Sequence, residues 1–159
     1  MSKRRAVITG IGPSTCIGTG REDFWRGILA EKSGIRQITS FDTSEFNAHC
    51  GGEISSWIPE DHFPPHRLKR LDRYAQFAVA SAKMALEDAR LPYSPETPQH
   101  RVGVSFGTAL GGIANAEYQH GHFLKKGTRG VNQTLALQVF GGSAHSGSGM
   151  RSIFRRFSR

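Results

Sequence analysis

Arg5-Ala6-Val7-Ile8-Thr9-Gly10-Ile11-Gly12 is the stretch that decides the fold class. Ala6-Val7-Ile8 is a short β-branched run, and Thr9 to Pro13 closes it with two glycines and a proline, the pattern of a buried strand ending in a tight turn. A helix is expected next. Thr19 with Glu22 three residues later makes a capping box, and Phe24, Trp25, Ile28 and Leu29 then recur on one face until Gly34. Strand, glycine turn and amphipathic helix in that order open an α/β fold.

Working outward, residues 35–66 lack a clear period and contain Pro59, Pro64 and Pro65. They read as surface excursions with short strands. From about Arg67 to Arg90, Leu68, Leu71, Tyr74, Ala75, Ala78, Ala82, Ala85, Leu86 and Ala89 fall at steps of three and four, which predicts a helix. So many alanines on one face let another backbone approach closely. Leu91-Pro92 ends this helix, and the proline-spaced run to Pro98 is a loop. Val102, Val104 and Phe106 alternate as a second strand, with Gly107, Gly111 and Gly112 in the turn after it. A further helix is expected from about Ile113 to Lys126, stopped by Gly127, and Leu135 to His145 reads as part of another.

The chain of 159 residues carries 21 lysines and arginines against 13 acidic residues, a net charge of +8. Such a balance raises nucleic acid or anionic membranes as partners, but no recognised nucleic-acid motif accompanies the charge. Arg151, Arg155, Arg156 and Arg159 form an acid-free tail, while Lys3-Arg4-Arg5 and Arg67 through Arg73 sit beside apolar residues at structural spacing. No apolar stretch approaches the ~18 residues of a membrane span. Cys16 and Cys50 fit neither a disulfide framework nor a zinc site, and they suit a reducing cytoplasm.

Residues that could carry chemistry have plainer readings. Cys16 follows the glycine turn and Cys50 lies in the irregular stretch, so neither is placed as a nucleophile. His49 and Cys50 are neighbours in sequence, which seldom makes a nucleophile and its base. His120 and His122, two apart, match no metal-ligand spacing, and Glu87-Asp88 read as a solvated helix face. Gly10-Ile11-Gly12 fails the dinucleotide fingerprint, because Thr15 stands where glycine or alanine is needed. Gly107 to Gly112 lacks the Lys-Ser/Thr of a phosphate loop. No metal and no cofactor are expected.

Four stretches in order carry a family resemblance: Arg5 to Gly12; Ser33-Gly34-Ile35-Arg36-Gln37-Ile38 running into Phe41-Asp42; Leu71-Asp72-Arg73-Tyr74-Ala75-Gln76-Phe77-Ala78; and Arg101-Val102-Gly103-Val104 through Gly107-Thr108-Ala109-Leu110-Gly111-Gly112. Together they resemble the type II β-ketoacyl-acyl-carrier-protein synthases of fatty-acid synthesis. The resemblance implies a partial thiolase-like α/β fold, the N-terminal half of an αβαβα sandwich, over residues 1–146, with residues 147–159 as a divergent basic tail. It implies a parent activity of acyl transfer with decarboxylative Claisen condensation in fatty-acid or polyketide assembly.

In that family the nucleophilic cysteine lies beyond the point where this sequence ends, and the two histidines and lysine that assist it lie further still, so no catalytic residue is expected in this chain and it should be inactive alone. The resemblance places the loop Gly107, Thr108, Leu110, Gly111 and Gly112 at the subunit contact, with Leu110 gating the acyl pocket; an apolar core residue in a turn is the alternative. Ala109 stands where glycine is common in the family. Tyr118, Phe123 and Phe140 could add acyl or dimer contacts, with core packing as their other reading. Implied partners are an acidic acyl carrier protein and a second synthase chain, in a homodimer or as a non-catalytic partner of an intact synthase. A basic adaptor using the arginine-rich tail is a further reading.

Overall fold

The computed structural model describes residues 5–68, 71–91 and 104–139. They fall into two compact units, one of Met1–Trp57 with Ser81–Leu91 and one of Ile58–Ala80 with Pro92–Arg159. The expected residues Val102 and Phe140, the Pro92–Pro98 loop, the end of the last helix and the tail from Gly147 lie outside the described residues.

The first unit holds two small antiparallel ribbons and a helix. β1 (Ser14–Thr15) pairs with β2 (Gly18–Thr19) across a turn at Cys16-Ile17. Thr15 Oγ1 holds that turn, donating to Gly18 O at 2.9 Å and accepting from Gly18 N–H at 3.2 Å and Ile17 N–H at 3.3 Å. α1 (Arg21–Leu29) follows, starting from Gly20 at φ 79° with no side-chain cap, so the expected Thr19–Glu22 capping box does not form. Thr19 is occupied in the β2 ladder instead. The apolar residues of α1 do not form a buried face: Trp25, Ile28 and Leu29 are exposed. Its buried position is Gly27, where a Cβ would lie 2.6 Å from Ile17 O, so the helix seats against the β1–β2 turn through its one side-chain-free residue.

β3 (Arg36–Gln37) and β4 (Cys50–Gly51) form the second ribbon, and Glu53, just after β4, ties to the segment just after β3. The Glu53 carboxylate accepts from Thr39 N–H (3.0 Å), Thr39 Oγ1 (2.9 Å), Ser40 N–H (3.0 Å) and Ser40 Oγ (2.5 Å). These bonds, led by the Ser40 hydroxyl, pull its pKa from the usual 4.5 down to about 2. A folded-state pKa below the unfolded one means the tie is complete above pH 4.5 and is lost as pH falls towards about 2. Amide exchange at Thr39 and Ser40, corrected for intrinsic rate, is therefore expected to accelerate across that window. Glu53→Gln should show the fast rate already at neutral pH; equal protection in both proteins would refute the tie.

α3 (Arg73–Asp88) supplies the surface on which the N-terminal segment lies. Within the first unit, a Cβ on Gly10 would collide with Ala85 O and lie 2.8 Å from Ala89 Cβ; one on Gly12 would collide with Ser81 O and lie 2.9 Å from Met84 Cβ. The alanine-rich face does permit the close backbone approach that its composition implied. Asp88 pins the segment further, accepting Ile11 N–H at 3.0 Å and Arg21 Nη1 at 2.5 Å, with its side chain only 17% exposed. It is a tie between three elements rather than part of a solvated face. Glu87, by contrast, is exposed and pairs with Lys83 one turn earlier at 3.7 Å.

The long helix expected from Arg67 is divided. α2 (Pro65–Leu68) is a separate turn, and α3 begins at Arg73, where Asp72 Oδ1 accepts Tyr74 N–H at 3.2 Å as an N-cap. In the second unit Phe63, Ala75, Val79 and Ala80 are buried. α4 (Ile113–Lys126) occupies the expected span and ends at Gly127, φ 63°, whose N–H bonds to Phe123 O. A 3₁₀ turn (Gly127–Gly130) and α5 (Leu135–Val139) fold back on α4. Asn115 Nδ2 donates to Gln138 Oε1 at 2.9 Å, and Asn132 N–H donates to Gln119 Oε1 at 2.9 Å.

The two strands expected in a central sheet are not formed among the described residues. Arg5 to Gly10 and Val104 to Gly107 belong to no ladder, and Val7 and Ile8 are 78% and 87% exposed. β-branched composition supplies propensity, but a strand is completed only by a neighbour at hydrogen-bonding distance. The ladders that do form each join segments close in the chain, where loop closure costs least. The described residues are mixed helices with short strands.

Candidate functional site

Gly107 to Gly112 is the candidate site. Gly107 stands in open space, with nothing within 4 Å of where a Cβ would be. Thr108 Oγ1 then accepts Gly111 N–H at 3.1 Å, closing a turn in which Gly111 takes φ 56°, a conformation that suits glycine. Gly112 docks the turn: its N–H donates to Val139 O at 3.2 Å, and its O accepts Ala116 N–H at 3.0 Å to start α4. A Cβ there would collide with Gln138 O and lie 3.1 Å from Asp72 Oδ2.

Docked through Gly112, the turn presents Leu110, 71% exposed, beside the exposed Ile113. From Val104 to Gly112 the side chains are apolar apart from the hydroxyls of Ser105 and Thr108. The loop has no group that titrates near neutral pH.

Along α4, Ala114, Glu117, Tyr118, Gly121, His122 and Lys125 line an open groove of about 350 Å³. Tyr118 and Phe123 are exposed, against the core-packing expectation for them. Tyr118 meets His122 edge-on at 4.6 Å, and His120 stacks on Phe123 at 6.5 Å. Among the described residues no cluster of three metal-ligating side chains occurs, and no helix is long and apolar enough to cross a membrane. His49 does not serve Cys50: its Nδ1 shares a hydrogen bond with Thr43 Oγ1 at 3.2 Å. Cys16 is half-buried and Cys50 exposed, both unbonded thiols.

Residues 3–157 match the family model "Beta-ketoacyl synthase, N-terminal domain". The chain belongs to the beta-ketoacyl synthase family. The 3-oxoacyl-[acyl-carrier-protein] synthase 2 of Staphylococcus aureus (strain COL) is 35% identical over 129 residues, covering 81% of this chain and 31% of that protein. The synthase of the same name from Coxiella burnetii is 35% identical over 153 residues, covering 96% of this chain and 36% of its own.

Among solved structures, the ishigamide ketosynthase/chain length factor superimposes with a TM-score of 0.75 at 31% identity, over 96% of this chain and 38% of that one. A beta-ketoacyl synthase from Burkholderia phymatum superimposes with a TM-score of 0.72 at 19% identity, which supports the fold alone. The chain thus spans about a third of the length of the synthases it matches. Its fold is a partial ketosynthase fold, and the stretches singled out in the sequence lie within the family match.

Proposed function

We propose that this chain supplies the N-terminal scaffold of a 3-oxoacyl-acyl-carrier-protein synthase, on the way to a thiolase-like sandwich, and forms no acyl-enzyme by itself. The observation that supports this most is the family match over a third of a synthase's length, joined to a candidate loop with no ionisable group. Condensation needs a thiolate nucleophile, paired N–H donors for the oxyanion, and groups that stabilise an enolate. Here Leu110 and its glycine turn bring an apolar wall, suited to gating an acyl pocket or closing a subunit contact.

Incubation with an acyl-carrier thioester tests the reading. The expected result is an unchanged intact mass and no 3-oxoacyl product with malonyl carrier added. An acyl adduct on Cys16 or Cys50 would overturn it.

Basic residues suit an acidic carrier protein as docking partner: Arg67 lies in the last turn of α2, and Lys125, Lys126 and Arg129 are exposed around the end of α4. A second reading is a non-catalytic partner of an intact synthase, acting in fatty-acid or polyketide assembly. It is favoured by exposed Leu110, Ile113, Tyr118 and Leu124, and by the likeness to a protein whose description pairs a ketosynthase with a chain length factor. Light scattering of this chain mixed with an intact synthase separates the readings: a mixed assembly supports the second.

A further inference from the structure

We propose that the first unit carries a docking surface for the part of a synthase that this chain does not span, taken up as a separate polypeptide that adds a strand along residues 5–10. The partner is the C-terminal two-thirds of a 3-oxoacyl-acyl-carrier-protein synthase. This rests on the scaffold reading above and names what the scaffold receives. Residues 5–9 are exposed, Val7 and Ile8 most of the large apolar side chains, and the segment belongs to no ladder among the described residues. An unpaired β-branched run of this kind is a template for another chain's strand, with main-chain hydrogen bonds giving the affinity.

The segment is not a loose tail. Its end is seated on α3 through Gly10 and Gly12, where a Cβ would collide with Ala85 O and Ser81 O, and Asp88 holds Ile11 N–H at 3.0 Å. The same carboxylate takes Arg21, the first residue of α1, so segment and helix are anchored to one point of α3. α1 adds an uncovered stripe of its own in Trp25, Ile28 and Leu29. A surface fixed in advance leaves less ordering to be done when a partner docks.

Two features choose the occupant. Side chains alternate across a strand, so Val7 and Ile8 project to opposite faces once a ladder forms. Covering both takes a neighbouring strand and packed layers on either side, as in a sheet buried on both faces. A second copy of this chain, pairing its own residues 5–10, supplies the strand without the layers. The other feature is length. This chain spans about a third of the synthases it matches, yet its backbone follows that of a much longer chain of the ishigamide ketosynthase/chain length factor. A backbone laid out as in the longer fold, with an apolar run bare on both faces, fits the remainder of that fold.

The experiment is co-expression of the tagged, full-length chain with the C-terminal two-thirds of the Staphylococcus aureus synthase, starting where its match to this chain ends. The same piece co-expressed with that synthase's own N-terminal third is the reference. The expected result is a one-to-one complex captured at a yield comparable with the reference. Val7→Glu with Ile8→Glu should lower capture at least about tenfold, because docking would bury two unpaired charges. The tryptophan unfolding midpoint of the free chain should stay where it was, since both side chains are exposed there. No capture by this chain, capture that survives the double substitution, or a homodimer of this chain that the double substitution dissolves would each overturn the proposal. Failure of the scaffold reading looks different: an acyl adduct on Cys16 or Cys50 of the chain alone, whether or not the two pieces associate.

Discussion

Gly12→Ala is expected to destabilise the first unit by about 3 kcal/mol, at the upper end of the usual cost of overpacking. The added methyl has no rotamer to choose and meets backbone: it would collide with Ser81 O and stand 2.7 Å from Ala85 N. Either the N-terminal segment lifts from α3 or the helix shifts. Lifting also strains the Ile11 N–H bond to Asp88 and the hydrogen bond shared by the Ser14 and Ser81 hydroxyls at 3.1 Å. Trp25 and Trp57 both belong to this unit, so tryptophan fluorescence in denaturant reads it. The midpoint should fall with an unchanged slope. Gly107→Ala, at a position with nothing within 4 Å, should leave the midpoint where it was. Equal midpoints for Gly12→Ala and the unaltered chain would contradict the close approach.

Gly112→Ala is expected to do comparable damage in the second unit, costing about 2–3 kcal/mol. Its methyl would meet Gln138 O and lie 3.1 Å from Asp72 Oδ2, breaking the seat of the candidate loop on α5. The Gly112 N–H bond to Val139 O and the Asn115–Gln138 bond hold the same contact, so exchange of amides at the start of α4 should rise with it. Gly121→Ala provides the opposite sign. Gly121 lies inside α4 with nothing within 4 Å, and alanine there should stabilise the helix by about 0.5–1 kcal/mol through propensity and lost chain entropy. Protection that falls at Gly112→Ala and holds at Gly121→Ala locates the effect in packing. If both variants behave alike, the described docking of the loop is wrong.

The legibility of this chain followed the range of the forces involved. α4 could be read to its last residue, because a helix is closed by bonds four residues apart and stopped by a local glycine. The alanine face of α3 was readable as a close-packing surface, and Gly10 and Gly12 are what it receives. The division between α2 and α3 carried a visible signal in Asp72, a capping residue that the apolar periodicity obscured. Asp88 and Glu53 were not legible, since nothing local shows that Ile11 and Arg21, or Thr39 and Ser40, will converge on those carboxylates.

By itself the sequence determined the family, the span of α4 and the order of motifs that places a non-ionisable glycine loop around Leu110, because motif order and short-range periodicity are properties of neighbours in the chain. Only the tertiary structure decided that Val7 and Ile8 stay uncovered and that Gly27 rather than the apolar stripe seats α1. Each of these depends on which remote segments pack side by side. Burial and proximity between distant residues are settled by that packing, and a strand has no meaning until its partner is in place.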